Sequence, residues 1–122
     1  IDLARSAHLD VRTGDAVDSL EQLVTEASGK GHPVITNSWV LNYLTPERRL
    51  DYVAALDDLG STRDLSWIIA EAPAQTEGLP WPQRDPSEEI TVVALIRWRR
   101  GQRTVQRLGS AHPHGAWLRW ES

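Results

Sequence analysis

The run Pro33-Val34-Ile35-Thr36-Asn37-Ser38-Trp39-Val40-Leu41-Asn42-Tyr43-Leu44-Thr45-Pro46-Glu47 decides how this chain is read. Its first four residues are a short, nearly uninterrupted apolar stretch, as a strand buried on both faces would be. Residues 39–44 space their apolar side chains to suit one or two helical turns. Thr45-Pro46-Glu47 then starts a helix: a hydroxyl to cap it, Pro at the first helical position and an acid at the positive end of the dipole. A strand passing directly into a helix is the unit from which parallel sheets are built.

Working outward, Leu50, Val53, Leu56 and Leu59 give that helix its buried stripe, and Gly60 reads as its terminator. Residues 65–70, with Trp67-Ile68-Ile69, form the next strand and run into Glu71. Upstream, residues 9–13 alternate apolar and polar as a half-exposed strand does, ending at Gly14-Asp15. Val17, Leu20, Leu23, Val24 and Ala27 follow at helical spacing, with Asp18 and Glu21 as a capping box and Gly29 and Gly31 as the stop. Residues 72–89 hold four of the seven Pro, with Gly78 and Trp81, and read as a lid-like loop. Strands over 90–98 and 103–108 flank the hairpin signal Arg99-Arg100-Gly101-Gln102, and residues 117–120 close the chain as a short strand. This order predicts an α/β fold with a mostly parallel sheet and an antiparallel C-terminal hairpin.

The 122 residues suit one small domain. With 40% hydrophobic and 25% charged residues, collagen-like, coiled-coil and disordered classes are excluded. No Cys is present, so disulfides, Cys-ligated metals and thiol nucleophiles are excluded. No apolar run reaches the ~20 residues of a membrane span, and the expected location is the cytoplasm. No Met is present and the chain opens on Ile1, so it reads as a piece of a longer protein. Residues 1–89 are strongly acidic, whereas residues 90–122 carry six Arg against Glu121 alone. Such a basic end fits a phosphate or nucleic-acid surface, but Arg alternating on the wet face of an antiparallel edge accounts for it better, and nucleic acid is disfavoured as a partner.

In an open parallel sheet, ligands bind at the carboxyl ends of the strands. Three such ends are polar here: Asp15 after the first strand, Asn37 and Ser38 after the second, Glu71 after the third. Asp15 and Ser38 serve equally as caps of the helices that follow. Ser38 lies on a strand-to-helix turn, but its neighbours Asn37 and Trp39 are too large for a nucleophile elbow. Trp81, set between prolines, is expected to point from the lid towards the strand ends. His112-Pro113-His114 lacks a nearby carboxylate and reads as a turn, so no metal site is expected. No Gly-rich phosphate loop is present.

Gly14-Asp15-Ala16, the run from Pro33 to Arg49, Leu65-Ser66-Trp67-Ile68-Ile69-Ala70-Glu71, Leu108-Gly109 and His112-Pro113-His114-Gly115 together resemble the C-terminal part of a bacterial family catalogued as domain of unknown function 2332. That resemblance covers nearly the whole chain and implies no activity. More loosely, the chain is similar to the C-terminal half of class I S-adenosylmethionine-dependent methyltransferases. This second resemblance implies a Rossmann-like, methyltransferase-type domain of which residues 1–122 are the C-terminal part. It also implies S-adenosylmethionine as cofactor, held by Asp15 near the adenine and by Asn37 and Ser38 near the transfer point. Trp39, Glu71 and Trp81 would then contact a small acceptor. The alternative is a non-catalytic interaction or regulatory domain on a degenerate fold of this type. With strands missing upstream, the sheet is incomplete. A homodimer is expected through the exposed strand edge, unless residues 9–13 pair with residues 33–36.

Overall fold

The computed structural model describes residues 9–77, 79 and 90–121. Helix α1 (Leu20–Ser28) leads to strand β1 (Val34–Ser38), a 3-10 turn (Leu41–Tyr43), helix α2 (Pro46–Thr62) and strand β2 (Leu65–Glu71). A second 3-10 turn (Pro73–Gln75) precedes strands β3 (Thr91–Arg99), β4 (Gln102–Ala111) and β5 (Leu118–Trp120). The five strands form one sheet in the order β1-β2-β3-β4-β5.

Only β1 and β2 are parallel, with α2 as their crossover; every later pair is antiparallel. The sheet is therefore mostly antiparallel, which corrects the mostly parallel expectation. β3 lies directly against β2 and runs back along it, and once one strand has turned back, tight turns keep each successor antiparallel. Arg100 and Gly101 both have positive φ, 51° and 78°, making the two-residue turn that matches strand twist between β3 and β4.

The alternation of the sheet sorts its two faces. Leu65, Trp67, Ile69 and Glu71 of β2, with Val92, Ala94, Ile96 and Trp98 of β3, are buried on one face. Leu20 and Val24 of α1 and Tyr52, Val53, Leu56 and Leu59 of α2 complete that core. The other face carries no helix among the described residues. Val34 is 53% exposed and Ile68 38%, so β1 is not buried on both faces as its apolar run suggests. An edge position beneath one helical layer leaves half of each strand in water.

Residues 9–13 form no strand, with Leu9 72% and Val11 89% exposed. Alternation makes a segment competent for a sheet, but neither a pairing edge nor an apolar surface meets this one. Arg12 instead reaches Asp10 and Glu26, both at 2.7 Å. The expected capping box at Asp18 and Glu21 does not form either. Asp15 Oδ1 accepts from the N–H groups of Val17 and Asp18, both at 2.9 Å, and α1 begins at Leu20. At α2 the expectation holds: Thr45 Oγ1 accepts from Arg48 N–H with Pro46 at the first position.

Two details of α2 differ. Leu50 is 52% exposed, and Arg49 takes the buried position instead. Gly60 does not end the helix, which continues to Thr62; a Cβ at Gly60 would collide with the indole of Trp98. Its lack of a side chain makes room for that ring.

Candidate functional site

The carboxyl ends of β1 and β2 are built around a bend at Trp39. This residue has φ 52°, a left-handed conformation uncommon for a bulky side chain. Its N–H donates to Ala70 C=O at 3.0 Å, and its indole Nε1 donates to Thr91 Oγ1 at 2.9 Å. The strained residue of the strand-to-helix turn is thus Trp39, not Ser38. Ser38 is exposed on the open face of the sheet.

Behind the bend, Glu71 is fully buried. Its Oε1 accepts from the N–H groups of Val40 at 2.8 Å and Leu41 at 3.2 Å, capping the 3-10 turn. Oε2 has no partner among the described residues. Burial pushes this carboxyl above its ordinary range, and the two backbone donors only partly offset that. Asn37 faces the same layer: its Oδ1 accepts from Trp67 Nε1 at 2.6 Å and from Tyr52 Oη at 3.0 Å. The Tyr52 hydroxyl is raised by burial, lowered in part by the Asn37 bond and raised again by the nearby Glu71 charge. The rings of Tyr52 and Trp67 pack with centroids 5.6 Å apart.

Asp15 reaches this end of the molecule through Arg48 in the first turn of α2, at 2.8 Å. Arg48 also contacts Asp18 at 3.1 Å and Asp51 at 3.3 Å. The Asp18 N–H is the largest influence holding the Asp15 carboxyl below its ordinary range, with Val17 N–H and Arg48 adding to it. At this strand-end rim Asn37 and Glu71 face the helical layer, Ser38 faces the open side of the sheet, Trp39 makes the bend between them, and Asp15 stands beside it in a surface ion cluster.

The stem of the lid-like loop is fixed by contacts the sequence does not announce. Arg49 Nε and Nη2 donate to the two carboxylate oxygens of Glu77 at 2.8 and 2.7 Å, and its Nη1 donates to Leu44 C=O. Leu79 is buried in the core. Trp81 and the rest of the loop to residue 89 lie outside the described residues. At the far end of the chain, His112 and His114 form a turn: His112 Nδ1 accepts from His114 N–H, and Gly115 N–H donates to His112 C=O. No group of three or more metal-ligating side chains occurs among the described residues. No helix among them is long and apolar enough to cross a membrane.

A further concavity lies elsewhere among the described residues. A cleft of about 580 Å³ opens at the amino ends of β1 and β2, lined by His32, Asp64, Ser66, Arg97, Arg99 and Arg100. Its signal in the sequence was the charge reversal after residue 90; pairing of β2 with β3 is what gathers these side chains.

No curated protein matches this chain, and no solved structure does. Its likeness is to a protein family: the model of that family matches residues 1–120, and the chain belongs to the uncharacterized proteins conserved in bacteria (DUF2332).

Proposed function

We propose that the carboxyl ends of β1 and β2 form one wall of a small-molecule site whose ligand is S-adenosylmethionine, used in methyl transfer to a small acceptor. The bend at Trp39 carries this reading. By turning out of β1 in a left-handed conformation, the chain crowds residues 37–41 against Glu71 and leaves the Ser38 hydroxyl facing outward. Ligands of open α/β units bind at this end. Methyl transfer asks for two aligned reactants more than for acid-base groups.

The donor set fits such a ligand in part. Asn37 keeps its amide Nδ2 for an acceptor on the ligand, and the hydrogen bonds to Asp15 fall on Oδ1, leaving Oδ2. In this reading Asp15 binds the cofactor, Asn37 and Ser38 line the transfer point, and Trp39 borders the acceptor with Glu71 holding the turn behind it; Trp81, the other residue expected at the acceptor, lies outside the described residues. Calorimetric titration of the full-length protein with S-adenosylmethionine and S-adenosylhomocysteine tests it. Saturable binding of both, weakened by Asp15→Ala in a variant that keeps its fold, is expected. A folded protein that binds neither at millimolar concentration removes the reading.

A second reading, a non-catalytic interaction domain, is favoured by how much of the rim is already satisfied internally. Asn37 Oδ1, Glu71 Oε1 and Asp15 Oδ1 all hold partners within the chain. The same titration separates the two readings.

A further inference from the structure

Most arginines of this acidic chain are spoken for. Arg12, Arg48, Arg49, Arg103 and Arg107 each meet a carboxylate, Arg63 donates to Thr25, and the Arg119 guanidinium lies over the Trp117 ring. Arg97, Arg99 and Arg100 differ: no ion pair engages their guanidinium groups among the described residues, although the chain has 17 acids to offer. All three line the cleft at the amino ends of β1 and β2.

That clustering follows from the register. Ser66 pairs with Arg97 across β2 and β3, so both present to the open face, and Arg99 follows Arg97 on the same side two residues on. The left-handed hairpin residue Arg100 adds the third guanidinium, and His32, just before β1, closes the other side with its Nε2 2.9 Å from Ser66 Oγ. Among the described residues lining the cleft, Asp64 is the single acid. Its Oδ1 accepts from the Arg100 backbone N–H at 3.0 Å, which ties the hairpin to the start of β2 rather than neutralising a guanidinium. Three like charges held together cost repulsion, and a protein of net charge −4 has carboxylates to quench them. Three guanidinium groups without an ion-pair partner among the described residues, gathered in a concavity, suit an anion.

We propose that this cleft binds the phosphoryl group of a small organic phosphate. Guanidinium forks match phosphate oxygens in paired hydrogen bonds. The volume is within the range of small-ligand sites, enough for a group of mononucleotide size. Ser66 Oγ and the His32 imidazole supply further polar contacts beside the guanidinium groups. This site is independent of the strand-end rim: Ser66 and Glu71 lie at opposite ends of β2, about 17 Å apart along an extended strand.

The test is titration of the full-length protein with inorganic pyrophosphate and with a nucleoside 5′-diphosphate, followed by calorimetry, with a single-stranded RNA 12-mer in a separate arm. Saturable one-to-one binding of both small phosphates is expected, at least about ten-fold weaker in Arg97→Met. The double variant Arg99→Gln/Arg100→Gln, at exposed positions, should show the same loss if Arg97→Met fails to fold. Arg119→Gln, on β5, should bind as the parent does. Saturation by the small phosphates that is indifferent to all three cleft arginines overturns the site. Binding of the 12-mer alone, falling steeply with salt, overturns the small-phosphate ligand in favour of a nucleic-acid surface.

Discussion

Gly60 sits inside α2 with the space of its missing side chain filled by the indole of Trp98. Alanine would ordinarily favour a helix by close to 1 kcal/mol, but here its methyl must displace a buried ring. With overpacking at the upper end of its range and the propensity gain set against it, Gly60→Ala is expected to destabilise the protein by about 1–2 kcal/mol net, read by urea unfolding. Glu71 makes a second residue-scale prediction. Its folded-state carboxyl is raised above the ordinary value by burial, so the folded chain holds that proton more tightly than the unfolded chain does. Its contribution to stability is fully present below the ordinary carboxylate value and is lost as pH rises through the raised one. Glu71→Gln cannot ionise and keeps an oxygen for the Val40 and Leu41 N–H groups, so this slope should vanish from its urea midpoints across pH 4 to 8. Glu71→Ala leaves the buried Leu41 N–H and the part-buried Val40 N–H without their acceptor and should cost roughly 1–3 kcal/mol at every pH. Equal pH profiles for the parent and Glu71→Gln would show that the carboxyl is not perturbed.

At the scale of elements, the contact joining the N-terminal turns of α2 to the segment after β2 is the Arg49–Glu77 pair. Arg49 is nearly buried and Glu77 about one third exposed, which places the pair between surface bridges of little worth and buried ones whose rupture is costly. Glu77→Gln should destabilise by roughly 1–2 kcal/mol and raise amide exchange in residues 73–77 more than in β2. Because Arg49 holds the Glu77 carboxyl below its ordinary range, the pair's contribution exists above the ordinary carboxylate value and is lost as pH falls through the lowered one. Uniform protection across parent and variant would mean that Leu79, not the ion pair, holds the segment.

Among the described residues the molecule is a two-layer arrangement with one sheet face and the outer edges of β1 and β5 left open. Pro33 C=O accepts from Ser66 N–H and Trp39 N–H donates to Ala70 C=O, so odd-numbered residues of this stretch point their backbone groups at β2. The even-numbered Val34, Thr36 and Ser38 therefore point theirs at the free edge, a template for another strand. In dilute monomer, amide exchange should alternate, slow at Ile35 and Asn37 and fast at Val34, Thr36 and Ser38. Sedimentation at several concentrations should show association as the even-numbered amides become protected. Thr36→Pro removes an outward N–H without breaking a bond to β2, and it should abolish that association while leaving the fold intact. Association unchanged in Thr36→Pro would place the contact elsewhere.

What the sequence by itself determined was local. The Thr45-Pro46-Glu47 helix start, the Arg100-Gly101 hairpin and the strand at residues 65–70 rest on backbone preferences and short periodicities carried by neighbouring residues. The polar strand-end residues Asn37, Ser38 and Glu71 could be named for the same reason. Tertiary structure decided everything that depends on what packs where. Alternation over residues 9–13 looks like a strand, yet with no edge to pair and no layer to bury Leu9 and Val11 it stays open to water. The apolar run at residues 33–36 is compatible with burial on both faces, but a single helical layer covers one. Gly60 reads as a stop until Trp98 arrives against it from β3, and Leu50 reads as part of the buried stripe although Arg49, reached by Glu77, takes that place. The direction of β3 against β2, which makes the sheet mostly antiparallel and gathers Arg97, Arg99 and Arg100 beside Ser66 and His32, is a pairing between residues some thirty positions apart. No local preference encodes such a pairing, because it is the shared burial of Trp67, Ile69, Ala94 and Ile96 that selects it.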